Sequence, residues 1–176
     1  MVPLTIVIAE QIRRQERNSR VWTWMTLLGG GLMSIFLVLP PLFWGVAAFT
    51  PTRAPEVTAI MHELGMLTLT TTDQYYVFMW VAICVISFLP AAAKHSPFPR
   101  WYGYFTAWTA IMFEAGAFAF LPRTGPFAWN GLLVFWVPIT LFGLWIAVTS
   151  YLLLGALKQQ RLQPDSDVDL ALAVPA

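Results

Sequence analysis

Four long apolar stretches, separated by shorter polar segments, dominate the pattern of the chain. They cover about residues 21–50, 74–92, 101–121 and 127–157. A helix needs about 20 apolar residues, at a rise of about 1.5 Å each, to cross a bilayer. The second and third stretches have roughly that length, and the first and fourth exceed it. The pattern predicts an all-α fold, a polytopic transmembrane bundle of four spanning helices over residues 21–157.

Prolines and glycines interrupt the two longest stretches. Pro40 and Pro41 lie in the first stretch and Pro138 in the fourth. Each lacks a backbone N–H and clashes with the preceding turn. Residues 29–31 are all glycine, which lets helix backbones approach closely. Neighbouring groups must satisfy the carbonyls that a proline frees inside a membrane, so we expect kinked helices that pack against one another.

The composition excludes a water-soluble globular domain. Apolar residues make up 58% of the chain and charged residues 11%, against roughly 45–50% and 25% in soluble domains. A net charge of +1 offers no basic face for nucleic acid. The single cysteine, Cys84, can form no disulfide within the chain. The expected environment is the lipid bilayer.

Lysine and arginine are unevenly distributed between the two sides of the predicted membrane. One side holds only Arg53 and Arg123. Cytoplasmic segments carry an excess of these residues, so the bias predicts that both termini lie in the cytoplasm. The basic residues on the predicted cytoplasmic side are Arg13, Arg14, Arg17, Arg20, Lys94, Arg100, Lys158 and Arg161.

Two flanking segments complete the predicted organisation. Residues 1–20 combine a short apolar run, 4–9, with a following arginine cluster, which is not the order of a signal peptide. This segment is either an interfacial amphipathic helix or the cytoplasmic end of a helix whose beginning is missing from the sequence. We favour the second interpretation because the run shows little polar face. Residues 158–176 contain prolines and aspartates without periodicity and are expected to form a disordered cytoplasmic tail.

The polar segment after the first stretch contains a further moderately apolar run. Residues 57–69 are expected to be helical. They either lie on the outer membrane surface or begin the second spanning helix early.

Glu114 is the most unusual residue of the predicted bundle, since it lies in the middle of the third stretch. A charged residue at that depth costs roughly 2.5–3.5 kcal/mol on translocon scales. One hypothesis is that Glu114 handles protons or cations. The other is that it holds helices together through a hydrogen bond to Thr109, Thr140 or Thr149.

Three further polar residues are candidates at the outer ends of the helices. Asp73 follows three threonines and suits a helix cap. Asn130 lies in a Gly- and Pro-containing segment and suits a turn. Alternatively, both residues line an outer vestibule together with Arg123.

The sequence offers no motif for catalysis, metal binding or a cofactor. The only histidines, His62 and His95, fall in opposite predicted loops and are expected to be solvated. No Gly-rich phosphate loop, Ser-His-Asp set or cysteine cluster is present. We therefore expect no catalytic residue, no metal and no cofactor.

Three short motifs carry a resemblance. They are PFPRWYGY at residues 97–104, GPFAWNG at 125–131 and FWVP at 135–138. Together they resemble a group of uncharacterised multi-pass integral membrane proteins from actinobacteria and proteobacteria. The resemblance implies a bacterial origin and a location in the cytoplasmic membrane, and it implies no activity.

Three hypotheses for the function follow. The preferred one is a non-enzymatic membrane protein that binds or handles a hydrophobic molecule, or that supports a membrane partner, because the helices are rich in aromatic residues and poor in polar ones. The second is a small proton- or ion-coupled transporter subunit that uses Glu114, presumed to act as a homo-oligomer. The third is a membrane redox or enzyme subunit, for which the sequence lacks clustered histidines or carboxylates.

Reporter fusions test the predicted topology. Fusions after Arg20, His95 and Gln163 are expected to report the cytoplasm, and fusions after Thr58 and Thr124 the opposite side, because of the distribution of lysine and arginine. An inverted or mixed pattern would show that charge bias does not orient this chain.

Overall fold

The computed structural model describes residues 1–16, 19–50, 52–71, 75–91 and 95–162. Within these ranges the protein is helical and contains no β-strand, as the sequence predicts. In chain order, the helices are α1 (Val2–Gln15), α2 (Val21–Phe36), α3 (Leu39–Phe49), α4 (Pro55–Thr71), α5 (Tyr76–Phe88), α6 (Arg100–Phe113), a 3₁₀ segment (Glu114–Phe118), a π-helical turn (Leu132–Trp136) and α7 (Val137–Leu162).

Among the described residues, three helical stretches are long and apolar enough to cross a membrane. They are Val21–Phe49 with 29 residues, Pro55–Phe88 with 34 and Leu132–Leu162 with 31. The predicted span at 101–121 is not among these three. Helix α6 ends after 14 residues at Phe113, and the chain continues as the 3₁₀ segment. Gly116 inside that segment lowers α-helical propensity by about 1 kcal/mol relative to alanine.

The candidate span Pro55–Phe88 begins well before the second apolar stretch of the sequence, which covers about residues 74–92. Residues 57–69 belong to α4, a helix of 17 residues that packs along α3. The predicted helix over residues 57–69 is therefore confirmed, and α4 and α5 lie on either side of the undescribed residues 72–74.

The three prolines inside the predicted spans, Pro40, Pro41 and Pro138, lie at a helix start or irregularity, as expected. Pro40 and Pro41 occupy the first turn of α3, where the missing N–H removes no intrahelical hydrogen bond. The break between α2 and α3 therefore falls at residues 37–38. Pro138 follows the π-helical turn, a local widening that accommodates a residue unable to donate to the preceding turn.

Helix α5 lies at the centre of the bundle, between α2 and α6. Its residues Met79, Trp80 and Ile83 are fully buried. Helix α6 is joined to α7 by polar contacts: the Tyr102 hydroxyl bonds to the Thr149 hydroxyl at 2.6 Å. Such bonds between helices stabilise bundles in lipid by about 1 kcal/mol each.

Helix α1 packs against α2 as an antiparallel hairpin. The Glu16 carboxylate accepts hydrogen bonds from the backbone N–H groups of Trp22, at 2.9 Å, and Thr23, at 3.2 Å. A carboxylate at a helix N-terminus is favourable because it satisfies unpaired N–H groups and complements the helix dipole. Ile8 and Ile12 of α1 are fully buried, so this helix is part of the bundle.

A pair of glutamines ties α1 to the end of α7. The Gln160 amide donates to Gln11 Oε1 at 2.7 Å, and the Gln11 amide donates to Gln160 Oε1 at 3.2 Å. The Gln160 amide also donates to the His95 carbonyl at 3.0 Å. This arrangement brings the C-terminal part of α1, the segment before α6 and the end of α7 to the same end of the bundle.

Glycines set the distance between α5 and its two neighbours. A Cβ atom added at Gly29 of α2 would lie 2.7 Å from the backbone nitrogen of Met79. A Cβ atom at Gly103 of α6 would lie 2.7 Å from Cβ of Ser87. Real Cβ contacts are not this short, so both helices approach α5 only because a side chain is absent.

Alanine substitution tests this packing. Gly29→Ala is expected to lower the free energy of unfolding in detergent by about 1–3 kcal/mol, because the rigid backbone of α5 must move away. Gly31→Ala is the matched control, since no atom lies within 4 Å of its added Cβ. The control is expected to be neutral or to stabilise by up to about 1 kcal/mol. Equal losses in the two variants would contradict the close contact of α2 with α5.

Candidate functional site

A cleft of about 330 Å³ lies between α4 and the segment that connects the 3₁₀ segment to the π-helical turn. The side chains of His62, Glu63, Met66, Arg123 and Trp129 contribute to its lining. His62, Glu63 and Arg123 are exposed, and Trp129 is half-buried. The cleft therefore combines groups of both charges with an aromatic ring.

The GPFAWNG segment folds into a compact turn that carries Trp129 into the cleft. Gly125 has a φ of 96°, a conformation that side-chain-bearing residues rarely adopt. The N–H of Ala128 donates to the Gly125 carbonyl at 3.2 Å, and the N–H of Leu133 donates to the Pro126 carbonyl at 2.9 Å. These bonds explain why glycine, proline and small residues occupy this segment.

An edge-to-face contact joins this turn to α4. The rings of His62 and Trp129 have centroids 6.2 Å apart and an interplanar angle of 85°. Glu63 and Arg123 line the same cleft, yet neither makes a hydrogen bond or an ion pair to another residue that the structure describes. Within the described ranges, both charges thus remain unpaired at the cleft surface.

A second, apolar pocket of about 90 Å³ lies among α4, α5, α6 and α7. Its walls include the rings of Tyr76, Phe113 and Phe142, whose centroids are 5.7–5.8 Å from one another. Thr70 also lines it, but its hydroxyl already donates to the Met66 carbonyl at 3.0 Å. Ile139 lines the pocket while 48% exposed, so it lies at the rim.

The cleft and the pocket follow the same face of α4. Met66 and Leu67 line the cleft, and Leu69 and Thr70 line the pocket. Residues three and four apart are neighbours on a helix surface, and three residues correspond to about 4.5 Å along the axis. The two sites are therefore about one helical turn apart.

The structure brings together only part of the vestibule expected from the sequence. Arg123 lines the cleft. Asn130 is exposed and follows Trp129 in the chain, without belonging to the cleft lining. Asp73 lies outside the described residues.

Glu114 is half-buried at the first residue of the 3₁₀ segment, directly after Phe113 of the apolar pocket. The sequence suggested threonine partners, but Thr109 donates to the Phe105 carbonyl and Thr149 bonds to Tyr102. Among the described residues, the carboxylate of Glu114 has no hydrogen-bond or ion-pair partner, so the expected bond between helices is not present.

His62 and Glu63 are the cleft residues that the sequence analysis missed. His62 is exposed on α4, within the helix that the sequence predicts over residues 57–69, but the sequence assigned it to no site. The signal that could have found them is helical spacing: Glu63, Met66, Leu67 and Thr70 share one face once residues 57–69 are read as a helix. The ring contact of His62 with Trp129 is a tertiary contact that local spacing does not reveal.

Metal-ligating side chains do not gather in the described part of the chain, where no group of three or more His, Cys, Asp or Glu residues could hold an ion. Comparison with known proteins gives no match to a family model, a curated protein or a solved structure. The geometry of the cleft and the pocket is therefore the basis for a proposed function.

Proposed function

We propose that the protein is a non-enzymatic membrane protein that binds the hydrocarbon part of a membrane lipid. The observation that supports this most strongly is the apolar pocket with its wall of Tyr76, Phe113 and Phe142. Small-molecule sites are concave, mostly apolar and lined by aromatic residues. Ile139 at the rim opens the pocket toward the outside of the bundle, where a membrane would supply the ligand.

The volume of the pocket suits the end of an acyl chain. An engineered apolar cavity of about 150 Å³ binds benzene, and this pocket is smaller at about 90 Å³. A narrow, flexible chain therefore fits better than a ring system. Lipid tails are as apolar as the pocket wall, so binding depends on van der Waals contact more than on release from water.

We also propose that both termini lie in the cytoplasm of a bacterial cell and that α6 with the 3₁₀ segment provides a fourth crossing. The bias of lysine and arginine supports this orientation. The glutamine pair holds the C-terminal part of α1, with Arg13 and Arg14, at the same end of the bundle as the end of α7, with Lys158 and Arg161, so it agrees with one common side for these basic residues. In that orientation the cleft faces the opposite side.

One observation favours a second candidate function, a proton-coupled transporter subunit. Helix α6 changes from α to 3₁₀ geometry at Glu114, and ion sites in transporters are often formed at interrupted helices. Transport pathways through a membrane commonly use several ionisable groups. Glu114 is half-buried and pairs with no other described residue, so we prefer the binding function.

Filling the rim of the pocket tests the proposed function. Ile139→Trp is expected to reduce the amount of phospholipid retained by the purified protein about fivefold, because the indole occupies the entrance. Leu144→Trp is the matched control, since Leu144 is 51% exposed on the same helix and lies outside the pocket. Native mass spectrometry after reconstitution with dioleoyl phospholipids measures the retained lipid.

Equal retention in both variants would rule out this pocket as the binding site. A proton flux into liposomes that disappears in Glu114→Gln, with lipid retention unchanged, would favour the transporter instead.

A further inference from the structure

The charged groups of the cleft are arranged for a ligand that carries both signs of charge. Glu63 and Arg123 line one concave surface, and neither is paired with another described residue. Opposite charges that could reach each other would attract strongly near a protein surface. The two groups form no ion pair with each other, and the cleft volume of about 330 Å³ falls at the lower end of ligand sites, about 300–1,000 Å³.

Each charged group has a distinct recognition chemistry. The planar guanidinium of Arg123 can donate two parallel hydrogen bonds to a phosphate, a geometry that lysine cannot match. The carboxylate of Glu63 accepts hydrogen bonds, which a primary ammonium supplies as three donors. The ring of Trp129 could make a cation–π contact with the same ammonium, which contributes about 0.5–1 kcal/mol at an exposed site. Together these groups match a phosphate joined to an ammonium.

The position of the cleft relates this head group to the apolar pocket. Glu63, Leu67 and Thr70 lie on one face of α4, with the charged residue in the cleft and Thr70 in the pocket. Glu63 and Thr70 are about two helical turns, or roughly 10 Å, apart, so the chains attached to a head group bound at Glu63 and Arg123 would extend over that distance to enter the pocket. The order of the two sites along α4, first charged and then apolar, matches the order of head group and acyl chain in a phospholipid.

We infer that the cleft selects a phospholipid with a zwitterionic head group that bears a primary ammonium, whose acyl chain enters the apolar pocket. This inference rests on the proposed function and adds the class of lipid. The pocket does not distinguish one lipid from another by head group, because its lining contains no charged side chain and its only polar side chains are the hydroxyl-bearing Thr70 and Tyr76. Selection must therefore come from the cleft.

Lipid retention measured by native mass spectrometry tests the inference with three dioleoyl probes. These are a phosphatidylethanolamine, which carries both charges, a phosphatidylglycerol, which lacks the ammonium, and a diacylglycerol, which lacks both. The protein is expected to retain phosphatidylethanolamine at least about fivefold better than either of the others, since charge-assisted hydrogen bonds exceed neutral ones in strength.

Two variants separate the contributions of the two charges. Arg123→Gln is expected to lower the retention of both phospholipids about fivefold. Glu63→Gln is expected to lower the retention of phosphatidylethanolamine to that of phosphatidylglycerol. The matched controls are Arg100→Gln and Glu56→Gln, which change exposed residues outside the cleft and are expected to leave retention unchanged. Because all four residues are exposed, each variant should keep the melting temperature of the parent protein.

The outcomes distinguish this inference from the proposed function. Equal retention of the three probes would overturn the head-group site and leave acyl-chain binding intact, whereas retention of none would overturn acyl-chain binding itself. Soluble glycerophosphoethanolamine, added as a competitor, is expected to displace the lipid only weakly. If it binds as tightly as the lipid, the ligand is a free zwitterion and the inference fails.

Discussion

The close contact of α5 with α2 and α6 is the constraint on which the rest of the structure depends. Lipid removes most of the hydrophobic driving force between helices, so association in a membrane requires backbones that approach closely. Gly29 and Gly103 allow that approach on the two sides of α5. Helix α5 in turn presents Trp80, which packs edge-to-face against Trp145 of α7 at 5.8 Å between ring centroids. The glycines thus determine where the aromatic core forms.

The apolar pocket follows from the same arrangement. Tyr76, one turn before Trp80 on α5, stacks on Phe142 of α7 at an interplanar angle of 6°. Leu37, in the break between α2 and α3, and Leu69 and Thr70 of α4 complete the lining of the pocket. The charged cleft lies one turn away on α4. With the apolar pocket beside the charged cleft, the bundle could hold a lipid for which the head group, rather than the acyl chain, determines the affinity.

The sequence was sufficient for features that depend on local chemistry. It predicted the helical class, helices long and apolar enough to cross a membrane, the irregularities near Pro40 and Pro138, and a close approach at Gly29, since each follows from propensity or composition. It did not predict that α6 would end at Phe113, because the apolar pattern continues through the 3₁₀ segment. It also did not place His62 and Glu63 in a cleft, because that cleft forms only where α4 meets a turn about 65 residues later in the chain.

Photolabelling with a phosphatidylethanolamine that carries a diazirine near the end of one acyl chain tests the central claim most directly. Peptide mapping after illumination locates the bound chain without any change to the protein. The account predicts labels concentrated on pocket residues, namely Leu69, Phe135, Ile139 and Phe142. Labels spread evenly over outward-facing residues such as Leu28, Leu144 and Leu154 would instead show ordinary contact with bulk lipid and contradict a specific binding pocket.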